Sequence, residues 1–170
     1  MASYATTEMH TGGEPLRIIE EGYPEISGTT ILEKIKTMKN KMDDSRKLLM
    51  FEPRGHFDMY GVLLVPPDNP SADIGAIFMH NEGYSTMCGH AILSLGRYLL
   101  DKGFVKNPKI PETQINIQCP CGSVESYVKY DGNKTGSVRF LNVPAFLFAK
   151  GERFTIQHVN TTYTTCFTFR

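Results

Sequence analysis

The sequence predicts an α+β fold in which a mixed or antiparallel sheet wraps around a long helix. Short β-rich segments recur along the chain, as in the alternating residues 114–118 and the apolar residues 60–65. Two longer segments, residues 31–49 and 89–102, repeat apolar side chains at the helical period. Because roughly seven strands and two helices do not alternate regularly, the pattern favours α+β over a parallel α/β sheet.

Length, composition and charge restrict the class of protein. The 170 residues are 41% hydrophobic and 21% charged, which is enough apolar material for one globular core. Lys and Arg number 18 and Asp and Glu number 18, so the net charge is zero and a nucleic-acid or membrane-surface partner is disfavoured. The apolar runs are too short to cross a bilayer, and residues 1–10 do not have the pattern of an export signal. We therefore expect a cytoplasmic protein.

The amino-terminal part combines a hairpin with the first helix. Residues 4–10 and 16–19 are β-rich and flank a pair of glycines, which predicts a strand, a tight turn and a second strand. Residues 31–49 place apolar side chains on one helical face, and Thr30 with Glu33 matches a capping box. We expect one continuous helix there, with its lysines on a solvated face.

The rest of the chain predicts a second hairpin, a second helix and further strands. Residues 60–65 and 74–79 flank a proline-rich loop, which is typical of a hairpin with a stiff connection. The second helix covers residues 89–102, and Gly103 stands where a left-handed cap is expected. Three more strands are expected at residues 114–118, 124–130 and 137–143.

The four cysteines favour thiol chemistry over a disulfide framework. In a chain without the pattern of an export signal they are expected to be reduced. Cys119 and Cys121 form a C-x-C pair with no second pair at ligand spacing, and the five histidines are scattered, so a zinc site is disfavoured. The phosphate-loop, dinucleotide-binding and H-E-x-x-H patterns do not occur.

Residues 80–90, HNEGYSTMCGH, place Cys88 at the start of the second helix. A thiol there faces free backbone amides and the positive end of the helix dipole, so we expect a lowered pKa and a thiolate that acts as base or nucleophile. The amides of Gly89 and His90 are expected to bind a carboxylate, and His90 either donates to that carboxylate or adjusts the thiol. A buried structural cysteine beside a satisfied histidine is the alternative. A thiol hydrolase using Cys88 and His90 is disfavoured, because residues two apart on a helix point in different directions.

Two loops contain further candidate residues. The first, MHTGGEP, offers side chains and a glycine turn that can cradle a polar ligand or position an acid, although a simple turn is the alternative. Its candidate pocket residues are His10, Gly12, Gly13 and Glu14. In the second, EPRGHFDMY at residues 52–60, an arginine–carboxylate network that stiffens the loop is favoured over direct contact with a substrate.

These segments together resemble the proline racemase family. The likeness lies in residues 9–15, in residues 52–56 with 58–61, and above all in residues 80–98. Within the family, the run YSTMCGHA resembles the eukaryotic dehydratases of trans-3-hydroxy-L-proline. The resemblance covers approximately residues 4–149.

The resemblance implies two similar lobes related to diaminopimelate epimerase, with a small amino-acid substrate between them and with no cofactor or metal. It implies that Cys88 is the catalytic base of the first lobe and that Gly89 and His90 hold the substrate carboxylate. The implied reaction removes the α-proton of trans-3-hydroxy-L-proline and expels the 3-hydroxyl as water. The product is Δ1-pyrroline-2-carboxylate.

The same resemblance sets the expected domain organisation and its alternatives. We expect residues 1–150 to form the amino-terminal lobe and residues 151–170 to be a divergent tail, with the second lobe and its catalytic residue absent. Because that residue separates dehydratases from their relatives, a proline racemase or 4-hydroxyproline epimerase is an alternative. An inactive single lobe is another, since the chemistry needs groups on both faces of the substrate. Association of two chains into a homodimer is left open.

Overall fold

The computed structural model describes residues 3–156 and 161–169, with side chains described over residues 3–151. Within these ranges the chain forms ten strands and three helices, where the sequence predicted roughly seven and two. In chain order they are β1 (Ala5–Thr11), β2 (Glu14–Glu21), α1 (Ile31–Lys41), α2 (Asp43–Met50), β3 (Tyr60–Val65), β4 (Ile74–His80), β5 (Gly83–Ser85), α3 (Gly89–Asp101), β6 (Glu112–Cys119), β7 (Gly122–Tyr130), β8 (Thr135–Leu141), β9 (Phe146–Ile156) and β10 (Thr161–Phe169). None of the helices in the described ranges is both long enough and apolar enough to span a membrane.

Strands β1 to β8 form one mixed sheet. Its strand order is β1-β2-β3-β4-β6-β7-β8, and β5 pairs with β4 beside this path. The pairs β2/β3 and β4/β6 are parallel, while the other neighbouring strands are antiparallel. The predicted α+β class with a mixed sheet is therefore confirmed, as are the two hairpins β1/β2 and β3/β4.

Both faces of the central strands β2, β3 and β4 are buried under helices. Successive side chains of a strand point to opposite faces, so neighbouring residues contribute to different clusters. Val62 and Phe78 pack with α3, whereas Leu63 and Ile77 pack with α1 and α2. This burial on both sides explains why β3 and β4 appear in the sequence as continuous apolar runs.

Helix α3 matches its prediction and lies against β1, β7 and β8. Its inward side chains include Leu95 and Leu99, which are almost fully buried. The helix closes at Gly103, whose φ of 72° is left-handed, and the Phe104 amide donates to the Leu99 carbonyl at 2.9 Å. The predicted glycine cap is confirmed, and the other end of α3 is fixed at Cys88.

The prediction of one continuous helix over residues 31–49 is wrong. The capping box at Thr30 and Glu33 is confirmed, but α1 ends at Lys41, and Met42 leaves the helical region with φ −137° and ψ 14°. A second helix then begins at Asp43. The apolar period continues across the break because both helices face the same side of the sheet.

Arg46 explains the direction of the second helix. Its side chain is buried, and Nε and Nη2 donate to the Asp43 carboxylate at 2.7 and 2.8 Å. Its Nη1 donates to the carbonyls of His80 and Asn81 at 2.7 and 2.6 Å. The two carbonyl contacts connect α2 to the end of β4. The hydrogen bonds from Arg46 also hold the pKa of Asp43 below its usual range.

Strands β9 and β10 form a separate antiparallel pair. Within the expected tail, residues 151–156 and 161–169 are strand, while residues 157–160 and 170 lie outside the described residues. Because β9 already begins at Phe146, the pair straddles the expected lobe boundary at residue 150. The boundary itself stays a prediction.

Candidate active site

Cys88 is the cap residue that precedes α3. Its backbone is extended, with φ −142° and ψ 110°, and its carbonyl accepts from the Ile92 amide at 3.0 Å. The side chain is 6% exposed and belongs to the cluster under α3. The thiol is therefore held at the predicted helix start but lies inside the wall of the site, not on its surface.

His90 contacts the thiol directly. The Cys88 Sγ lies 3.2 Å from His90 Nδ1, and His90 Nε2 lies 3.2 Å from the carbonyl oxygen of Pro15. Because a carbonyl only accepts hydrogen bonds, Nε2 carries the hydrogen and Nδ1 of the neutral ring is the acceptor that faces the thiol. This tautomer allows His90 to receive the proton of Cys88.

The argument that Cys88 and His90 point in different directions is wrong. Cys88 is extended and lies before the first helical residue, so the spacing rule for two residues of one helix does not apply to it. The earlier expectation that His90 adjusts the thiol agrees with the 3.2 Å contact.

The expected lowering of the Cys88 pKa is also wrong. Burial raises the pKa of the thiol, since a low-dielectric surrounding disfavours the thiolate. Hydrogen bonds from the Ala91 amide, the Tyr60 hydroxyl and the His90 amide act in the opposite direction, and the negative charge of Glu14 raises the pKa further. The helix start supplies the expected donors, but desolvation outweighs them.

Tyr60 and Ser85 form a hydroxyl pair next to this thiol. The Ser85 hydroxyl donates to the Met87 carbonyl at 3.0 Å, so its oxygen accepts the hydrogen bond from the Tyr60 hydroxyl. The Tyr60 ring stacks on His80 with centroids 5.6 Å apart and meets the edge of His90 at 5.1 Å. Burial raises the pKa of Tyr60.

Tyr60, His80 and His90 line one wall of a polar cleft. The cleft has a volume of about 620 Å³, which is within the range of small-molecule sites. Three carboxylates and two histidines give it a polar lining that suits a small charged ligand. Its lining residues are Glu14, Pro15, Phe57, Asp58, Met59, Tyr60, His80, Asn81, Glu82 and His90.

The four residues predicted in the first loop are divided between two places. Glu14 lines the cleft, and Gly12 and Gly13 form the turn between β1 and β2 with φ of 61° and 104°. His10 lines a different groove beside Arg97, and its Nδ1 accepts from the Gly13 amide at 3.4 Å. The structure thus brings only Glu14 of this set to the cleft.

Gly89 packs closely against an aromatic ring at the helix start. A Cβ built on it would lie 3.2 Å from Cζ of Phe140, which is a closer approach than most side chains tolerate. The expected role of this glycine was close approach of a ligand to the backbone. In the described structure the neighbour that approaches it is the Phe140 ring of β8.

The loop before β3 does not contain the predicted arginine–carboxylate network. Within the described side chains, Arg54 takes part in no ion pair. Asn81 fixes the loop instead, because its amide donates to the carbonyls of Met50 and His56 at 3.0 and 3.1 Å. The end of this loop forms a wall of the cleft, where Asp58 is held at a positive φ of 67°.

Sequence reasoning assigned no role to Tyr60, His80 or Glu82, although all three line the cleft. A usable signal was present in the predicted second hairpin. Tyr60 and His80 are directly paired across β3 and β4, and cross-strand pairs lie close enough for side-chain contact. Extending that hairpin by one residue would have joined the two loops into one site.

The described side chains include no cluster of three His, Cys, Asp or Glu residues suited to a metal ion. Cys119 is buried, Cys121 is exposed, and both are free thiols. Burial raises the pKa of Cys119 and also that of Cys121.

The mixed sheet and its helices define an α+β protein in which a buried cysteine–histidine pair lies beside a polar cleft. The family model described as proline racemase matches residues 6–162. The chain belongs to the proline racemase family. The match continues past residue 150 into the segment expected to be a divergent tail.

Curated relatives agree with this membership. The chain is 58% identical over 149 residues to a protein of Saccoglossus kowalevskii named trans-L-3-hydroxyproline dehydratase, covering 88% of this chain and 45% of that protein. It is 60% identical over 145 residues to the Xenopus tropicalis protein of the same name, covering 85% of this chain and 42% of that one. The chain therefore spans less than half the length of these relatives.

Solved structures show the same fold at lower identity. A hydroxyproline epimerase from Agrobacterium vitis with bound trans-4-hydroxy-L-proline superposes with a TM-score of 0.86 at 21% identity, covering 97% of this chain and 48% of that one. A probable proline racemase from Agrobacterium radiobacter K84 with bound carbonate gives 0.87 at 24% identity, covering 98% and 49%.

Proposed function

We propose that this chain forms the base-bearing lobe of a trans-3-hydroxy-L-proline dehydratase. The main observation in support is the 3.2 Å contact between Cys88 and His90 beside a polar cleft. The Pro15 carbonyl fixes the tautomer of His90. The names of the curated relatives, at 58% and 60% identity, support trans-3-hydroxy-L-proline as the substrate.

In this function the thiolate of Cys88 removes the α-proton and the 3-hydroxyl leaves as water. His90 takes the thiol proton through Nδ1, which compensates for the effect of burial on the Cys88 pKa. The amides of Gly89 and His90 in the first turn of α3 receive the substrate carboxylate. The resulting enamine tautomerises to Δ1-pyrroline-2-carboxylate.

The proposal also covers the first loop, the absence of a cofactor, the location and the assembly. The loop with His10, Gly12 and Gly13 supports the pocket, and Glu14 meets the substrate amine from the cleft wall. The reaction needs no metal or cofactor, because the base and the carboxylate donors come from the chain. Free thiols at the described cysteines favour a reducing, cytoplasmic location. Residues 1–150 form the lobe, and a homodimer is one assembly that would face two lobes across a cleft.

The test is incubation of the purified protein with trans-3-hydroxy-L-proline, with Δ1-pyrroline-2-carboxylate measured by mass spectrometry. Product is expected from the unmodified protein and none from Cys88→Ser, because an alcohol is a far weaker base than a thiolate. Cys121→Ser, which alters an exposed thiol outside the cleft, serves as the matched control and is expected to retain activity. Absence of product would refute dehydratase activity of this chain and favour the inactive single lobe, and inversion at the α-carbon without water loss would indicate a racemase or epimerase.

A further inference from the structure

The stereochemistry of trans-3-hydroxy-L-proline restricts where the leaving hydroxyl receives its proton. The 3-hydroxyl lies on the ring face opposite the carboxylate, and the α-hydrogen also lies opposite the carboxylate. The hydroxyl and the α-hydrogen therefore share one face. If Cys88 removes that hydrogen, the hydroxyl departs on the side of Cys88, and its proton donor must come from the same lobe.

Two of the hydroxyl and imidazole donors near Cys88 are already committed to backbone carbonyls. The Nε2 hydrogen of His90 is directed at Pro15, and the Ser85 hydroxyl hydrogen is directed at Met87. A departing hydroxide would have to compete with those fixed carbonyl acceptors for either proton.

The Tyr60 hydroxyl is different. Its hydrogen is directed at the oxygen of the Ser85 hydroxyl and not at a backbone carbonyl. Rotation about the C–O bond of Tyr60 releases this hydrogen toward the cleft without breaking a bond to the backbone. Tyr60 also lines the cleft, and its hydroxyl interacts with Cys88 in the direction that favours the thiolate.

We propose, on the basis of the dehydratase function above, that Tyr60 is the catalytic acid that protonates the departing 3-hydroxyl in a syn elimination. The Cys88 thiolate takes the α-proton, and the C–H electron pair forms the C2–C3 double bond. The C3–O bond breaks with its electron pair on oxygen, and the Tyr60 proton converts the leaving group to water. The thiol then returns its proton to the Tyr60 oxygen, so both side chains recover their starting states.

The surroundings of Tyr60 suit this role. Its ring is fixed between His80, at 5.6 Å, and His90, at 5.1 Å, so the hydroxyl is positioned on the cysteine side of the cleft. Burial raises the pKa of Tyr60, which keeps the hydroxyl protonated at neutral pH. A phenol is ordinarily a weaker acid than a thiol, so the return of the proton from Cys88 to the tyrosinate is favourable.

The experiment compares water loss with α-proton exchange in the same reaction. The protein and its Tyr60→Phe variant are incubated with trans-3-hydroxy-L-proline in D₂O, and product and unreacted substrate are analysed by mass spectrometry. Tyr60→Phe is expected to lower product formation by about 100-fold or more, in line with the loss of a general acid. Deuterium is expected to appear at the α-carbon of its unreacted substrate, because Cys88 still removes the α-proton, its thiol exchanges with D₂O, and a deuteron is returned to the carbon.

Controls separate this inference from the proposed function. Tyr130→Phe removes an exposed tyrosine hydroxyl that donates to the Gly132 carbonyl outside the cleft, and it is expected to behave like the unmodified protein. Tyr60→Phe with unchanged product formation overturns the inference alone, and so does loss of product and exchange together in a variant with an unchanged circular dichroism spectrum. Failure of the unmodified protein to release water refutes the dehydratase function and the inference with it.

Discussion

Replacing Arg46 with alanine is expected to lower the free energy of unfolding by about 3–5 kcal/mol. Arg46 makes four short donor contacts, two to the Asp43 carboxylate and two to the carbonyls of His80 and Asn81. A hydrogen bond to a charged group contributes about 1.5–3 kcal/mol, so the two carbonyl contacts alone, at about 3–6 kcal/mol, account for a loss of this size. Asp43 is 26% exposed and regains water in the variant, which keeps the total below the sum of four bonds.

The assay is urea unfolding at neutral pH, followed by circular dichroism. Arg97→Ala is the matched control, because Arg97 pairs with Asp101 on a helix surface at 3.1 Å with both side chains about half exposed. Its loss is expected to cost less than about 1 kcal/mol. If the free energies of unfolding of the two variants differ by less than about 1 kcal/mol, and the slopes against urea concentration are equal, Arg46 does not stabilise the contact between α2 and β4.

Two further predictions concern stability. Hydrogen bonds from Thr7, Tyr98 and Lys102 lower the pKa of Glu20 from its ordinary 4.5 to about 2, so its contribution is present above about pH 4.5 and is lost as the pH falls toward 2. The stability difference between the unmodified protein and Glu20→Gln is expected to shrink over this range in urea unfolding, and a constant difference would contradict the assignment. Gly96→Val is expected to lower the free energy of unfolding by about 2–3 kcal/mol in the same assay, because overpacked cores lose stability. A Cβ at Gly96 already lies 2.6 Å from the hydroxyl oxygen of Ser126 in β7. An unchanged urea midpoint would show that β7 shifts to accommodate the larger side chain without loss of stability.

The first helical segment shows where local pattern stops being informative. The apolar period and the Thr30 capping box correctly place a helix start, and the acidic pair at Asp43 is also a start signal that was overlooked. The break at Met42 follows from the contacts of Arg46 with His80 and Asn81, 34 and 35 residues away along the chain. A sequence period cannot register a contact over that separation, so it predicted one helix instead of two.

The candidate site divides in the same way. The sequence placed Cys88 at a helix start and predicted the hairpin of residues 60–65 and 74–79, one residue short of His80, because turns, caps and strand alternation are local properties. It did not predict the raised pKa of Cys88, because helix-start donors are visible in a local motif whereas burial depends on the whole core.

By itself the sequence determined the fold class, the family and the position of the thiol. Each of these depends on short patterns whose physical meaning does not require knowledge of distant residues. Only the tertiary structure decided the tautomer of His90 and the cleft that it lines, because the Pro15 carbonyl comes from a strand 75 residues away. Packing of the sheet brings these groups together. Packing also buries the Cys88 thiol, for which the sequence alone predicted only the favourable effect of the helix start.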